Sequence, residues 1–204
     1  MTPGTKVLRL GVFGGAFDPP HVAHVALAKA AVEQLALDEL RVFPTGQAWH
    51  KAQTLSPAQD RLAMTRLAFG GLPHTLVDER ELHRPGPTYT IDTLRELKTE
   101  YPGAALFLVM GEDQADSLTR WRDWQAIVTT AVVCVAARPL PHPQGGLDAS
   151  GLPAEAEVRL LRLPPMPESA TEVRERVAAG QGIAQLVPAG VASYIDRHHL
   201  YRPT

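Results

Sequence analysis

The fold of this chain is decided by residues 7–24, VLRLGVFGGAFDPPHVAH. The apolar run 7–13 predicts a strand, and the pair Gly14–Gly15 predicts a turn in which the backbone can approach a ligand closely. A helical pattern starts near His21 and runs to about residue 36. A strand, a glycine turn and a helix start therefore follow one another directly.

This helix start has the properties of a phosphate site. The first N–H groups of a helix have no partner inside the helix and attract anions. His21 and His24 are three residues apart, so both imidazoles lie on one face of that first turn. The segment predicts a polyphosphate site, and a nucleotide is the expected ligand. A partial metal site or a solvated helix end is the competing interpretation, but no third metal ligand lies nearby in the sequence.

Strand and helix patterns alternate along the whole chain. The predicted strands are 7–13, 40–44, 74–78, 104–110, 131–136 and 158–163, and the predicted helices are 21–36, 57–69, 89–100, 121–130, 171–179 and 188–199. Several strands are continuous apolar runs, which is typical of strands buried on both faces. The pattern predicts an α/β fold, a Rossmann-like doubly wound and mostly parallel sheet with helices on both faces. We expect one domain over 1–204.

Composition and charge limit the partners and the cellular location that we expect for this chain. The net charge is −2 and the pI about 6.4, which argues against a nucleic-acid partner. No apolar stretch is long enough for a membrane span, so we expect no membrane partner. The single Cys134 favours a buried structural thiol and a cytoplasmic location. The proline- and glycine-rich segment 139–153 reads as a surface insertion without a function, and the oligomeric state is open, with a homo-oligomer among the options.

The segment 14–24, from the glycine pair to His24, resembles the Gly-x-Phe-Asp-Pro-x-His-x-Gly-His signature of the nucleotidyltransferase superfamily related to class I aminoacyl-tRNA synthetases. Two departures are Ala23, where the family has glycine, and Ala16, where Thr or Ser is common. The chain is too short for a synthetase and has no lysine-rich Met-Ser-Lys loop. The resemblance implies His21, His24 and Arg174 as catalytic residues.

A second signature lies near the other end. Ser169-Ala170-Thr171-Glu172 is a capping box, and Thr171 and Arg174 share a helix face, which makes another anion site. The segment is similar to the family motif Ile-Ser-x-Thr-x-Ile-Arg, with Glu168 in place of isoleucine. By this resemblance, Arg174 holds the β- and γ-phosphates. The implied ATP site comprises Gly14, Gly15, Ala16, Phe17, Asp18, His24, Gly111, Asp113, Ser169, Thr171 and Arg174.

Three internal segments carry further motifs. Residues 78–94 look like the Glu-Leu-x-Arg … Ser/Thr-Tyr-Thr-x-x-Thr-Leu stretch of bacterial nicotinate-nucleotide adenylyltransferases, and Thr88 is the expected N-cap. Gly111-Glu112-Asp113 is followed by Trp121, the expected stacking partner of a pyridine ring, with Trp124 expected in the core. The implied substrate-binding residues are His50, Lys51, Thr88, Tyr89, Thr90 and Trp121, although Ala48-Trp49 replaces the Pro-Pro pair usual before the His-Lys pair.

The resemblance implies AMP transfer from ATP to nicotinate mononucleotide, with pyrophosphate as the second product. Mg²⁺ is expected on the ATP phosphates with water, with no dedicated protein site and with Asp18 in an outer shell. Two alternatives stay open. One is a sister enzyme, such as pantetheine-phosphate adenylyltransferase or a cytidylyltransferase, and the other is a non-catalytic nucleotide-binding module.

Overall fold

One parallel sheet organises the part of the chain that the computed structural model describes, residues 7–46, 55–137 and 156–203. Its strands are β1 (Arg9–Gly15), β2 (Glu39–Pro44), β3 (Thr75–Val77), β4 (Ala105–Met110), β5 (Val132–Ala137) and β6 (Val158–Arg162). All neighbours pair in parallel, in the order β3-β2-β1-β4-β5-β6. The order reverses between β1 and β4, and ligands of such sheets bind beyond the carboxyl ends of the strands at that reversal.

Helices cover both faces of the sheet. They are α1 (Val22–Gln34), α2 (Ala58–Phe69), α3 (Arg80–His83), α4 (Thr90–Glu100), α5 (Glu112–Asp116), α6 (Trp124–Thr130), α7 (Ala170–Ala178) and α8 (Ala189–Arg197), with a 3₁₀ turn at Leu118–Arg120. One face packs against α1, α2, α7 and α8, and the other against α4, α5 and α6. This is the predicted Rossmann-like α/β fold.

The central strands show why the sheet has two cores. In β4, Leu106, Leu108 and Met110 pack with the α4–α6 side, whereas Phe107 and Val109 pack with the α1–α2 side. Side chains alternate between the faces of a strand, so an uninterrupted apolar run supplies both cores. Each fully buried side chain of this kind contributes about 1.5–3 kcal/mol to folding.

The predicted ends of several helices are wrong in detail. The helix predicted over 57–69 begins at Ala58, with Pro57 as the N-cap and no side chain capping the helix. The helix predicted over 121–130 starts only at Trp124, because Asp123 adopts the left-handed conformation with φ 50°. The short helices α3 and α5 and the 3₁₀ turn were not predicted from the sequence.

No helix in the described parts of the chain is long and apolar enough to cross a membrane. The segment 139–153 lies outside the residues that the structure describes.

Candidate active site

The end of β1 and the turn that follows it form the base of the site. Gly14 and Gly15, predicted to lie in the turn, are the last two residues of the strand. Gly14 is exposed, has no positive φ, and a Cβ built on it would meet nothing within 4 Å. Neither backbone conformation nor internal crowding therefore explains a glycine at this position, whereas the close approach of a ligand would. Phe17 is different. Its ring is 1% exposed and packs edge-on against Phe69, so only its backbone can take part in the predicted ATP site.

His21 and His24 lie together at the start of α1, as their spacing predicts. Their rings stack with centroids 3.7 Å apart and planes inclined by 30°. The backbone N–H of His21 donates to Nδ1 of His24 at 3.2 Å. An imidazole nitrogen that accepts a hydrogen bond carries no proton. In neutral His24 the proton therefore resides on Nε2, which makes that atom a donor.

The environment of His21 keeps its ring uncharged. The side chain is 8% exposed, and burial lowers its pKa to about 4. Its Nδ1 atom is buried, with no hydrogen-bond partner among the described residues. At neutral pH, His21 can therefore act only as a neutral donor or acceptor.

Asp18 connects this turn to three later parts of the chain. One carboxylate oxygen accepts the hydroxyl of Tyr201 at 2.6 Å, and the other accepts the backbone N–H of Ser56 at 2.9 Å. Its carbonyl oxygen accepts Nη1 of Arg174 at 2.7 Å. Asp18 is 6% exposed, and the peptide bond that joins it to Pro19 is cis. Because its oxygens bond three later parts of the chain, Asp18 holds the turn in place, a role not predicted from the sequence.

Arg174 reaches this turn from the first two turns of α7. The Ser169 hydroxyl accepts the backbone N–H of Glu172 at 3.1 Å, which confirms the predicted N-cap. Thr171 accepts Nη2 of Arg174 at 3.1 Å, three residues along the same face. A guanidinium has five N–H donors, and these contacts to Asp18 and Thr171 use two of them. The two predicted anion sites, one at each end of the chain, thus meet at one place.

Comparisons with known proteins establish the family of this chain. A family model described as cytidylyltransferase-like matches residues 12–176. The chain is 55% identical to a probable nicotinate-nucleotide adenylyltransferase of Albidiferax ferrireducens, over 95% of this chain and 98% of that protein. It is 44% identical to a protein of the same name from Methylibium petroleiphilum, over 96% of this chain and 93% of that protein. The chain belongs to the nicotinate-nucleotide adenylyltransferase family.

Solved structures support the fold of this adenylyltransferase family member. The nicotinic acid mononucleotide adenylyltransferase of Plasmodium falciparum, complexed with NaAD, superposes with a TM-score of 0.79. It covers 95% of this chain and 97% of its own at 19% identity, a level at which the likeness concerns the fold alone. The same protein complexed with APC gives 0.77 over the same shares of the two chains, at 18% identity.

The segment with the adenylyltransferase Thr-Tyr-Thr pattern lies at the start of α4. The N-cap is Tyr89, not Thr88 as predicted, because the helix begins one residue later, at Thr90. Thr88 is instead buried, and its hydroxyl has no hydrogen-bond partner among the described residues. The guanidinium of Arg122 lies over the Tyr89 ring at 4.5 Å. The roles of Thr88, Tyr89 and Thr90 in binding stay predictions.

The carboxyl end of β4 carries the remaining described candidates. Gly111 is the N-cap of α5, and a Cβ on it would meet nothing within 4 Å, as at Gly14. Asp113 lies in the first turn of α5, exposed. Trp121 is partly buried, and its Nε1 donates to the Ser117 hydroxyl at 3.2 Å. The binding roles of these residues stay predictions, and His50 and Lys51 lie outside the described residues.

Sequence reasoning missed two residues that shape this site. Arg61 is 2% exposed and donates to the carbonyl of Ala16, in the turn after β1, and to that of Thr45, which follows β2. It could have been noticed, because Arg61, Met64, Thr65 and Ala68 form one buried helical face and only Arg61 is charged. Tyr201, which holds Asp18, has no comparable local signal, since the two residues are 183 positions apart.

Proposed function

We propose that this chain transfers AMP from ATP to nicotinate mononucleotide, giving nicotinate adenine dinucleotide and pyrophosphate. A phosphate oxygen of the mononucleotide attacks the α-phosphorus of ATP and forms the new P–O bond. The bond between the α-phosphorus and the oxygen bridging to the β-phosphorus breaks, and its electron pair leaves with pyrophosphate. The chain forms no covalent intermediate in this reaction, so it contributes positioning and charge stabilisation.

One observation carries the proposal: Arg174 is hydrogen-bonded to Asp18, three residues before the stacked His21 and His24. The histidines lie at the start of α1 and Arg174 lies near the start of α7, so this contact brings two helix N-termini and a guanidinium to one turn. Each of these groups attracts phosphate oxygens. A triphosphate at this turn would bring its oxygens to all of them.

The histidines suit the transition state better than the ground state. Negative charge builds up on the nonbridging oxygens as the α-phosphoryl group is transferred, and donors fixed at those oxygens lower the barrier. The contact from the His21 backbone fixes the His24 ring and leaves its Nε2–H as the donor. The neutral His21 ring supports that orientation by stacking on it. Arg174 is proposed to hold the β- and γ-phosphates that leave.

The acceptor is proposed to bind on the side of α4. The N-terminus of this helix carries a partial positive charge and N–H groups that suit a carboxylate better than a neutral amide. The Thr88 hydroxyl, which has no hydrogen-bond partner in the described part of the chain, lies two residues before the helix begins. These features support a preference for nicotinate over nicotinamide mononucleotide, with Trp121 as the aromatic partner of the pyridine ring.

Mg²⁺ is proposed to enter with ATP. The described residues contain no group of three His, Cys, Asp or Glu side chains that could hold a metal ion, and the Asp18 carboxylate already accepts two hydrogen bonds. The donor set therefore fits a cation held by phosphate oxygens and water. When bound, the cation screens the negative charge of the triphosphate.

We also propose a cytoplasmic location and small-molecule partners only. Burial raises the pKa of the Cys134 thiol to about 12, so the only cysteine stays a protonated core residue and suits a reducing compartment. Fractionation of cells that carry the tagged chain tests this location, and recovery in the membrane pellet would contradict it.

The deciding experiment is an acceptor comparison with the full chain, ATP and Mg²⁺. Nicotinate mononucleotide, nicotinamide mononucleotide and phosphopantetheine are supplied in parallel, and pyrophosphate release and product mass are measured. We expect the fastest transfer to nicotinate mononucleotide. Faster transfer to phosphopantetheine would show a sister enzyme, and ATP binding without pyrophosphate release would show a non-catalytic module.

A further inference from the structure

Arg61 is a buried cation that forms no ion pair within the described parts of the chain. It lies on α2 and is 2% exposed. An arginine stays charged in proteins, and a charge taken out of water needs other partners. Its partners here are four backbone carbonyl oxygens.

These four carbonyls belong to separate parts of the chain. Nη1 donates to Ala16 at 3.0 Å and to Thr45 at 2.7 Å, and Nη2 donates more weakly to Gly46 at 3.4 Å. Nε donates to Ser56 at 3.1 Å. Ala16 lies in the turn proposed to bind ATP, and Thr45 and Gly46 directly follow β2. One planar guanidinium therefore fixes the positions of these loops relative to each other.

The contacts continue from Thr45 to the acceptor side. The backbone N–H of Thr45 donates to the Gly15 carbonyl at 2.8 Å. Gly46 packs so closely on its neighbours that a Cβ would overlap the Glu81 carbonyl oxygen and lie 2.8 Å from the Thr88 hydroxyl oxygen. Thr88 precedes the helix start proposed to bind the nicotinate carboxylate. A continuous path thus runs from Gly15 through Thr45 and Gly46 to Thr88, and Arg61 holds both Thr45 and Gly46.

We propose that Arg61 is a positioning residue that couples the ATP subsite to the acceptor subsite. The inference rests on the proposed function. It adds a residue through which the binding of one substrate affects the binding of the other. When bound ATP restricts the motion of the turn at Ala16, the Arg61 guanidinium, which is bonded to that turn, also restricts the motion of Thr45 and Gly46. Gly46 in turn packs against Thr88. Binding of one substrate thereby lowers the ordering cost of binding the other, which is positive coupling.

The test separates this role from simple support of the fold. Arg61→Lys keeps the charge but loses the planar fork that serves four carbonyls at once. Arg66→Lys is the matched control, because Arg66 lies on the same helix and its side chain is 57% exposed. Among the described residues, its only ion pair is with Glu79. Calorimetry with a non-hydrolysable ATP analogue and nicotinate mononucleotide, each alone and with the other present, measures the coupling directly. Steady-state kinetics gives kcat and both KM values.

In the wild-type chain and in the control we expect each ligand to tighten the other by about tenfold. In Arg61→Lys this factor falls towards one and kcat falls about tenfold, while the affinity for the ATP analogue alone changes little. A folded Arg61→Lys with the coupling factor and kcat of the control would overturn the inference. A wild-type chain that transfers no AMP to nicotinate mononucleotide would instead refute the proposed function.

A measurement on the wild-type chain covers the case in which Arg61→Lys does not fold. The ATP analogue alone should slow amide hydrogen exchange at Thr45 and Gly46 as well as at the turn after β1. Protection confined to the turn, with exchange at Thr45 and Gly46 unchanged, would contradict the coupling without any substitution.

Discussion

Arg174 donates a 2.7 Å hydrogen bond to the carbonyl oxygen of Asp18, which lies 156 residues earlier in the sequence. This contact joins α7 to the turn that leads into His21 and His24. The guanidinium is held at Thr171 as well, so its plane is fixed by two acceptors on different elements. A phosphate-binding arginine that is already oriented loses little conformational freedom when the ligand arrives.

Replacing Arg174 with lysine tests this pre-organisation. Arg174→Lys keeps one positive charge but cannot contact Asp18, Thr171 and a phosphate in one plane. We expect kcat/KM for ATP to fall about 100-fold, with little change in melting temperature. Arg176→Lys is the control, since Arg176 is exposed on the same helix and its side chain bonds only Glu172 among the described residues. Equal kinetics for the two variants would remove Arg174 from the proposed mechanism.

His24→Ala removes the proposed transition-state donor. The His21 backbone N–H loses its acceptor, which costs about 1 kcal/mol of stability, as for other lost helix caps. The larger effect is on turnover, which we expect to fall at least about 100-fold in a folded protein. The exposed His83 provides the control, as His83→Ala should keep full turnover. Undiminished turnover in folded His24→Ala would refute the assignment.

Tyr201→Phe deletes a single oxygen atom from the contact that holds Asp18. The carboxylate oxygen that accepts this hydroxyl then lies buried without its partner, at a cost of about 1–3 kcal/mol. Tyr194→Phe makes the same chemical change at a partly buried hydroxyl, which donates to Asp60 on α2. Urea unfolding should show a larger loss for Tyr201→Phe, together with a raised KM for ATP. A KM for ATP equal to that of Tyr194→Phe would show that Asp18 does not need this hydroxyl to place the turn.

Two glycines should respond in opposite ways to alanine. Gly14→Ala meets no neighbour, so its stability should stay within about 1 kcal/mol of wild type while ATP binding weakens about tenfold. Gly46→Ala collides with the Glu81 carbonyl oxygen and the Thr88 hydroxyl, and we expect a loss of about 1–3 kcal/mol. Thermal unfolding and calorimetric ATP titration distinguish the two. Normal ATP binding by Gly14→Ala would mean that no ligand approaches this position.

The sequence was most informative where a local pattern determines the structure. The apolar run in β4 predicted a strand buried on both faces, and Ser169 predicted a cap, because neighbours in the sequence decide both. The left-handed Asp123 and the late start of α4 were missed, since tertiary packing decides between conformations that the sequence allows equally. The membership of Asp18, Tyr201 and Arg61 in one set of contacts was not predictable, because it depends on pairings across the whole fold. The expectation of one domain over 1–204 stays a prediction.

Glu81 makes the stability of this region depend on pH. Its side chain is 5% exposed, and burial raises its pKa from 4.5 to about 7, although the Thr93 hydroxyl donates to it at 2.6 Å and Arg84 is nearby. Asp78 and Glu96 also face it and raise its pKa further. Between pH 4.5 and 7 the folded chain keeps a proton that the unfolded chain releases. The unfolded state therefore gains relative stability as the pH rises through this window.

Glu81→Gln removes this titration while keeping the shape of the side chain and an acceptor for Thr93. His21 has a lowered pKa and titrates with the opposite sign, but it does so in both proteins and cancels in their difference. The unfolding free energy of Glu81→Gln, relative to wild type, should rise by about 3 kcal/mol between pH 4.5 and pH 8, since each pKa unit corresponds to about 1.4 kcal/mol. Urea unfolding at the two pH values measures this difference, and the exposed Glu175→Gln should show none. A difference for Glu81→Gln that is equal at both pH values would contradict the raised pKa of this carboxyl.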